Sequence, residues 1–192
     1  MNGRRLLTDM LGIALYAVPI GALVHLVTIL VIPLFASHDA FARLAPLGPV
    51  NVTIALDRPG PSNRTFPYGD PAVASAFCRF DLSAGPLRVT ARIARSGFAS
   101  LSFHTRPGSV FYALTDRAAL RGELNALILT AAQLRIVAAK DNEDDPSQDL
   151  RIVSSSIEGF ALVRAFSEQP SLYPQAEADA HSLTCVNEPV AK

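Results

Sequence analysis

Few residues in this chain have the types and spacing that chemistry requires. Cys78 and Cys185 are its two cysteines. Two cysteines with none left over suit a disulfide in an oxidising compartment, closing a loop of roughly 108 residues. The alternative is two separate thiols, either of which could join His104 or His181 as a nucleophile pair, but no local signature surrounds them. A serine hydrolase elbow, Gly-x-Ser-x-Gly, does not occur. His38, His104 and His181 stand far apart and form no helical i, i+4 pair for zinc. Asp141, Glu143, Asp144, Asp145 and Asp149 concentrate carboxylates, but they lack the calcium-loop order and its glycine, and Pro146 interrupts them. This stretch reads as a solvated acidic loop. No glycine pattern cradles phosphate. The sequence therefore points to no metal and no cofactor. What remains is Asp116, Arg117 and Arg164 as weak ligand-binding candidates, with Asp81 beside them. Arg164 interrupts the otherwise apolar run Phe160–Phe166, which predicts a guanidinium buried against a carboxylate. A structural ion pair would explain that as well as a ligand site does.

The chain that must position these groups has 192 residues, with 17 basic and 17 acidic side chains and zero formal charge. No global field recruits nucleic acid, and the arginines are scattered. Leu11 to Ala36 contains no Asp, Glu, Lys or Arg. A membrane span needs about 20 such residues to cross ~30 Å of hydrocarbon. The run is too long for the apolar region of a cleaved signal peptide, about 7–15 residues, so it reads as an anchor that stays. Arg4 and Arg5 precede it and only Arg43 follows closely, which predicts a cytoplasmic N-terminus and an exported remainder. Pro19 could kink the helix. Ala17 and Gly21 form a small-xxx-small pair suited to close helix approach. His25 is the one ionisable group at mid-span, and it reads as a neutral imidazole bonded to a nearby carbonyl or partner helix.

Beyond the anchor, residues 37–49 read as a linker, with Pro46, Gly48 and Pro49 blocking regular structure. Residues 50–192 are the size of one domain. Asn51–Leu56 alternates like a strand. Asp70-Pro71 reads as the start of a short helix. Four strands follow, at Phe77–Leu82, Leu87–Ile93, Phe98–His104 and Ser109–Thr115, with turns at 83–86 and 105–108. Val89, Ala91 and Ile93 alternate with Arg88, Thr90 and Arg92, so one face of that strand is wet. Leu124–Leu129 suits a strand or a helix, its local propensity being mixed, and the strand is preferred. Thr130-Ala-Ala-Gln133 is a capping box opening a helix from Ala131 to about Lys140. Leu150–Ser155 and Phe160–Phe166 read as a closing hairpin around Glu158-Gly159, and the tail from Gln169 as irregular. The expected class is α+β: one N-terminal transmembrane helix, then a mainly antiparallel sheet domain with two short helices.

The runs Asp70–Pro86, Ala113–Arg117, Leu129–Leu134 and Gly159–Arg164 resemble small alphaproteobacterial envelope proteins that carry a domain of unknown function. The resemblance covers most of the chain. It implies an inner-membrane protein with a periplasmic domain, and it brings no activity and no catalytic residues. Two functions follow as expectations. One is a membrane-anchored, non-catalytic module that binds an envelope partner, with an open sheet edge as its surface. The other is an envelope enzyme or binding domain for a lipid, glycan or peptide, using Asp116, Arg117 and Arg164.

Overall fold

The computed structural model of the full chain describes residues 3–35, 39–60, 69–93, 97–141 and 149–189. It divides into two units, Met1–His38 and Asp39–Lys192.

The first unit is helix α1, Gly3–Phe35, helical through Pro19. Within it Asp9–Ile32 is long and apolar enough to cross a membrane, with mean hydropathy 2.3 and no buried surface. Twenty-four residues at 1.5 Å each give about 36 Å, against ~30 Å of hydrocarbon. The Thr28 hydroxyl donates to the Val24 carbonyl at 2.7 Å, so its polar group is satisfied within the helix.

The second unit begins earlier than the linker reading predicts. Asp39 caps helix α2, Ala40–Leu44, by accepting from the Ala42 N–H at 2.7 Å. A 3-10 turn, Ala45–Leu47, follows. Pro46 and Gly48 end this helix; they do not abolish it. Phe41 and Leu44 are buried, so residues 39–47 belong to the domain. Residues 36–38 lie outside the described residues.

Nine strands make two sheets among the described residues. The strands are β1 Thr53–Ala55, β2 Val73–Asp81, β3 Leu87–Arg92, β4 Ala99–Thr105, β5 Val110–Thr115, β6 Glu123–Leu129, β7 Leu150–Val153, β8 Glu158–Phe166 and β9 Thr184–Asn187. One sheet runs β1-β2-β8-β4-β5, and the other β7-β6-β3-β9. Their inner faces share one core. Ala76, Cys78, Phe80, Leu101, Phe103 and Val163 come from the first sheet, and Leu87, Val89, Leu124, Ala126 and Ile128 from the second. Period-two burial along β3 matches the alternation of its sequence.

Three elements depart from the sequence reading. Asp70 does accept from a backbone N–H, that of Ala72 at 2.9 Å, but the chain turns there and enters β2, not a helix. β2 is paired on both sides, to β1 and β8, and that pairing overrides the helical preference of its alanines. Ala74, Ala76 and Ala165 are small because helix α4, Tyr173–His181, packs on β2 and β8 there. Second, β7 and β8 are not a hairpin. Helix α3, Ala131–Ala138, carries the full Thr130–Gln133 capping box, and its crossover lays β7 parallel to β6. β8 instead pairs antiparallel with β2 and β4. Third, the tail holds α4 and β9, whose Tyr173, Ala176, Ala180 and Cys185 are buried. Its apolar residues are few but spaced to serve the core. The turn after β2 likewise links the two sheets; β3 pairs with β6 and β9, not with β2.

The outer face of the first sheet has its own small core, Leu44, Phe77 and Phe160 with Ile54 and Leu162 around them. Arg79 closes it. This buried arginine donates to the Gly48 carbonyl at 2.7 Å and lies 4.7 Å from the Phe41 ring. Arg106 pairs with Asp39 at 2.7 Å and with Glu158. Together they fasten residues 39–48 to the sheet.

Candidate functional site

Four edges end the two sheets. β1 has three residues, and β7 and β9 four each. β5 has six, Val-Phe-Tyr-Ala-Leu-Thr, with one neighbour, β4. Proteins usually blunt such an edge by shortness, charge or proline. β5 carries neither charge nor proline, and a register shift opposite it at Phe103/His104 is its one irregularity. Val110 and Tyr112 are 56% and 39% exposed. Among the described residues, the strand thus offers unpaired backbone groups and apolar side chains along one line.

At the C-terminal end of β5 comes a 3-10 turn, Asp116–Ala118. It places the sequence candidates Asp116 and Arg117 at the rim of the edge, Asp116 half-buried and Arg117 exposed. Beside them a cleft of about 370 Å³ opens between the sheets, lined by Leu114, Leu120, Leu124 and Leu150 with Arg121 and Asp149. The third candidate does not join them. Arg164 faces outward from β8 and is exposed, not buried against a carboxylate as predicted. Residues alternate sides along a strand, and 164 falls on the outer face, where Ser75 and Ser100 are its cross-strand neighbours. None of the three lines either of the two clefts, the one above or a second of about 350 Å³ over Ile136 and Val137.

The structure also assembles a group that sequence reading passes over. His104 stacks on Phe160, with centroids 4.5 Å apart and rings 7° from parallel. Its Nδ1 lies 3.0 Å from the Gly108 carbonyl and its Nε2 lies 2.9 Å from Ser102 Oγ. A carbonyl only accepts, so Nδ1 carries the proton and neutral Nε2 accepts from Ser102. Burial holds His104 below the usual imidazole range, helped by the Arg164 charge and opposed by the Gly108 hydrogen bond. A serine beside a neutral, oriented imidazole is the geometry of an activated nucleophile. Here, however, Ser102 also lies 3.3 Å from the Leu162 carbonyl, and neither cleft reaches it. The pair reads as a structural clasp on the β4–β5 turn. The i, i+2 spacing of Ser102 and His104 was its only sequence signal.

A pH effect follows from the clasp. With the folded pKa of His104 below its unfolded value near 6.5, the unfolded chain binds the extra proton as pH falls. The stabilisation is complete above pH ~6.5 and is lost as pH drops through the folded pKa. Melting temperatures should therefore decline between pH 7 and pH 5, and His104→Gln should flatten that decline. An equal slope in the variant would refute the assignment.

The acidic loop lies partly outside the described residues. Its two described ends are engaged: Asp141 takes both Arg151 amines at 2.5 and 2.6 Å, and Asp149 pairs with Arg88 at 2.8 Å. Arg88 also pairs with Glu188. No group of three metal-ligating side chains occurs among the described residues.

No family model and no curated protein matches this chain. Among solved structures it is similar to the VPA0106 protein from Vibrio parahaemolyticus, with a TM-score of 0.52 and 12% identity, over 76% of this chain and 34% of that one. An uncharacterised Burkholderia cenocepacia protein aligns with a TM-score of 0.42 and 14% identity, over 68% of this chain and 37% of that one. The chain therefore spans about a third of the length of the proteins it resembles. At these identities the first similarity speaks to fold alone.

Proposed function

We propose that this is a single-pass protein of the bacterial inner membrane. In this reading its N-terminus is cytoplasmic, and its periplasmic domain binds an envelope partner without catalysis. The observation that carries the binding reading is β5. It is the longest sheet edge, uncharged and exposed, with Asp116 and Arg117 at its rim. An extended partner segment would add a strand there; backbone bonds would supply affinity, and the rim charges selectivity. The apolar helix and the arginine pair before it support the topology. Alkaline phosphatase fused after Lys192 should be active, whereas an inactive fusion with an active cytoplasmic reporter would reverse the orientation.

Charge on the edge tests the binding surface. Val110→Lys with Tyr112→Lys should leave stability within about 0.5 kcal/mol, since both side chains are exposed. The pair should cut partner recovery from solubilised membranes about tenfold or more, a loss of ~1.4 kcal/mol or greater. Unchanged recovery would remove β5 from the interface.

The cleft favours one second reading, a domain that holds an envelope ligand with both apolar and polar parts, since its leucines stand beside Arg121, Glu123, Asn125 and Asp149. A ligand that co-purifies with the wild type and is lost on Leu120→Gln, at an exposed lining position, would support it over strand addition.

A further inference from the structure

Cys78 lies on the inner face of β2, in the middle of the first sheet's pairing, and Cys185 on the inner face of β9, at the edge of the second. They belong to one core cluster, at 0% and 9% exposure. Both are thiols in this structure; Cys78 donates to the Arg79 carbonyl at 3.7 Å, and it lies near enough to Cys185 to act on that thiol electrostatically. Thr53 stands opposite Cys78 on β1. The fold has thus brought together two sulfurs from different sheets. β9 itself is short and pairs only with β3. Otherwise it is held by side-chain bonds such as Thr90–Thr184 at 2.6 Å and the Asn187 amide to the Asp81 carbonyl at 3.4 Å.

We propose that Cys78 and Cys185 form a disulfide before β9 docks, and that docking then seals the bond in the core as a permanent staple. It is not a redox switch. Thiol–disulfide exchange needs a thiolate and access to the sulfur under attack. In the folded domain access is closed, and burial beside a second thiol pushes the Cys185 thiol far above its usual range. In the unfolded chain both cysteines are ordinary. One thiolate attacks a disulfide oxidant, forming a mixed disulfide and releasing one thiol. The second cysteine's thiolate then displaces the other thiol. Two electrons leave the protein dithiol, and the oxidant's disulfide becomes two thiols. In a cell the oxidant is at hand only if the domain is exported, so this inference rests there on the proposed topology. The test below is made on purified protein and is independent of it.

Full-length protein in detergent is reduced and unfolded in urea, then refolded in a glutathione buffer. Free thiols are counted with a maleimide polymer after a denaturing quench. The expected result is no free thiol and no added glutathione mass. The oxidised, refolded protein is then treated with dithiothreitol, with and without urea. Reduction should be complete in urea and slower by at least about tenfold without it. Two free thiols after refolding, or a glutathione adduct, would overturn the pairing. Equal reduction rates with and without urea would overturn the sealing. Neither result bears on the phosphatase fusion, so failure of the bond and failure of the topology are told apart.

Discussion

Cys185→Ser should lower the unfolding free energy of the oxidised domain by about 3–4 kcal/mol. The bond closes a loop of roughly 108 residues, and the chain-entropy model gives up to ~4.7 kcal/mol for a loop of about that length. Serine at 185 also leaves a hydroxyl among the buried groups of the core, where Thr53 is the polar neighbour. Urea unfolding of the full-length protein in detergent would measure both. Wild type should lose most of the same stability when unfolded and refolded under reductant. Cys78→Ala added to Cys185→Ser should cost less than either change alone, because the two share one bond. A midpoint that does not depend on reductant would mean the two sulfurs, though adjacent, do not stabilise the fold by bonding.

The second large effect is at Gly159. It sits within β8, opposite Phe80 on one side and Thr105 on the other. A Cβ there would strike the His104 carbonyl oxygen and come 2.5 Å from Phe80 Cζ. Neither can give way readily. Phe80 is fully buried, and the carbonyl belongs to a strand paired on both sides. Gly159→Ala should therefore cost about 3 kcal/mol, at the upper end for overpacking because backbone must move. For a domain of this size that is a fall in melting temperature of roughly 6–12 °C. Phe80→Leu in the same chain should recover part of it, a non-additive result expected only if the ring is one of the obstacles. Gly60→Ala is the control, since no atom lies within 4 Å of a Cβ there. A small loss at Gly159, equal to that at Gly60, would show that the strands can part at no cost.

Gly159 also shows where reading the sequence stops. Next to Glu158 it looks like turn punctuation, yet its missing side chain serves a close approach of strands. The same ambiguity hid the path of the chain. Strand positions such as β3, β4 and β5 were legible from alternation and turn residues, and the Thr130 capping box was legible as a pair of hydrogen bonds. Which strand lies beside which was not, because β7 and β8 follow one another in sequence but sit in different sheets. Alternation reports that a face is buried, not what buries it. Asp70-Pro71 carried a true local signal, and Asp70 does cap a turn, but pairing on both sides of β2 decided the outcome. The tail was opaque for another reason: Tyr173, Ala176 and Ala180 are too sparse to announce a core helix until the alanines beneath them on β2 and β8 are seen.

The candidate site was legible in pieces. Asp116 and Arg117 stand at the end of β5, the longest sheet edge among the described residues. Arg164 was misjudged because a lone arginine among apolar residues suggests burial, while strict alternation in β8 turns it outward. Cys78 and Cys185 stand out by number alone, and the fold has placed both in one buried cluster. Arg79 gave no advance sign of its role and His104 only its spacing from Ser102, since both roles depend on Phe41, Gly48 and Phe160 coming from distant parts of the chain.

The proposed docking of an envelope partner on β5 can be read out by a photo-crosslinking amino acid at Tyr112 of the full-length protein in native membranes. A discrete adduct with one envelope protein is expected, lost when Val110→Lys is added, and not formed from the same probe at Leu172, an exposed position outside the edge. No adduct specific to Tyr112, or one indifferent to Val110→Lys, would contradict it.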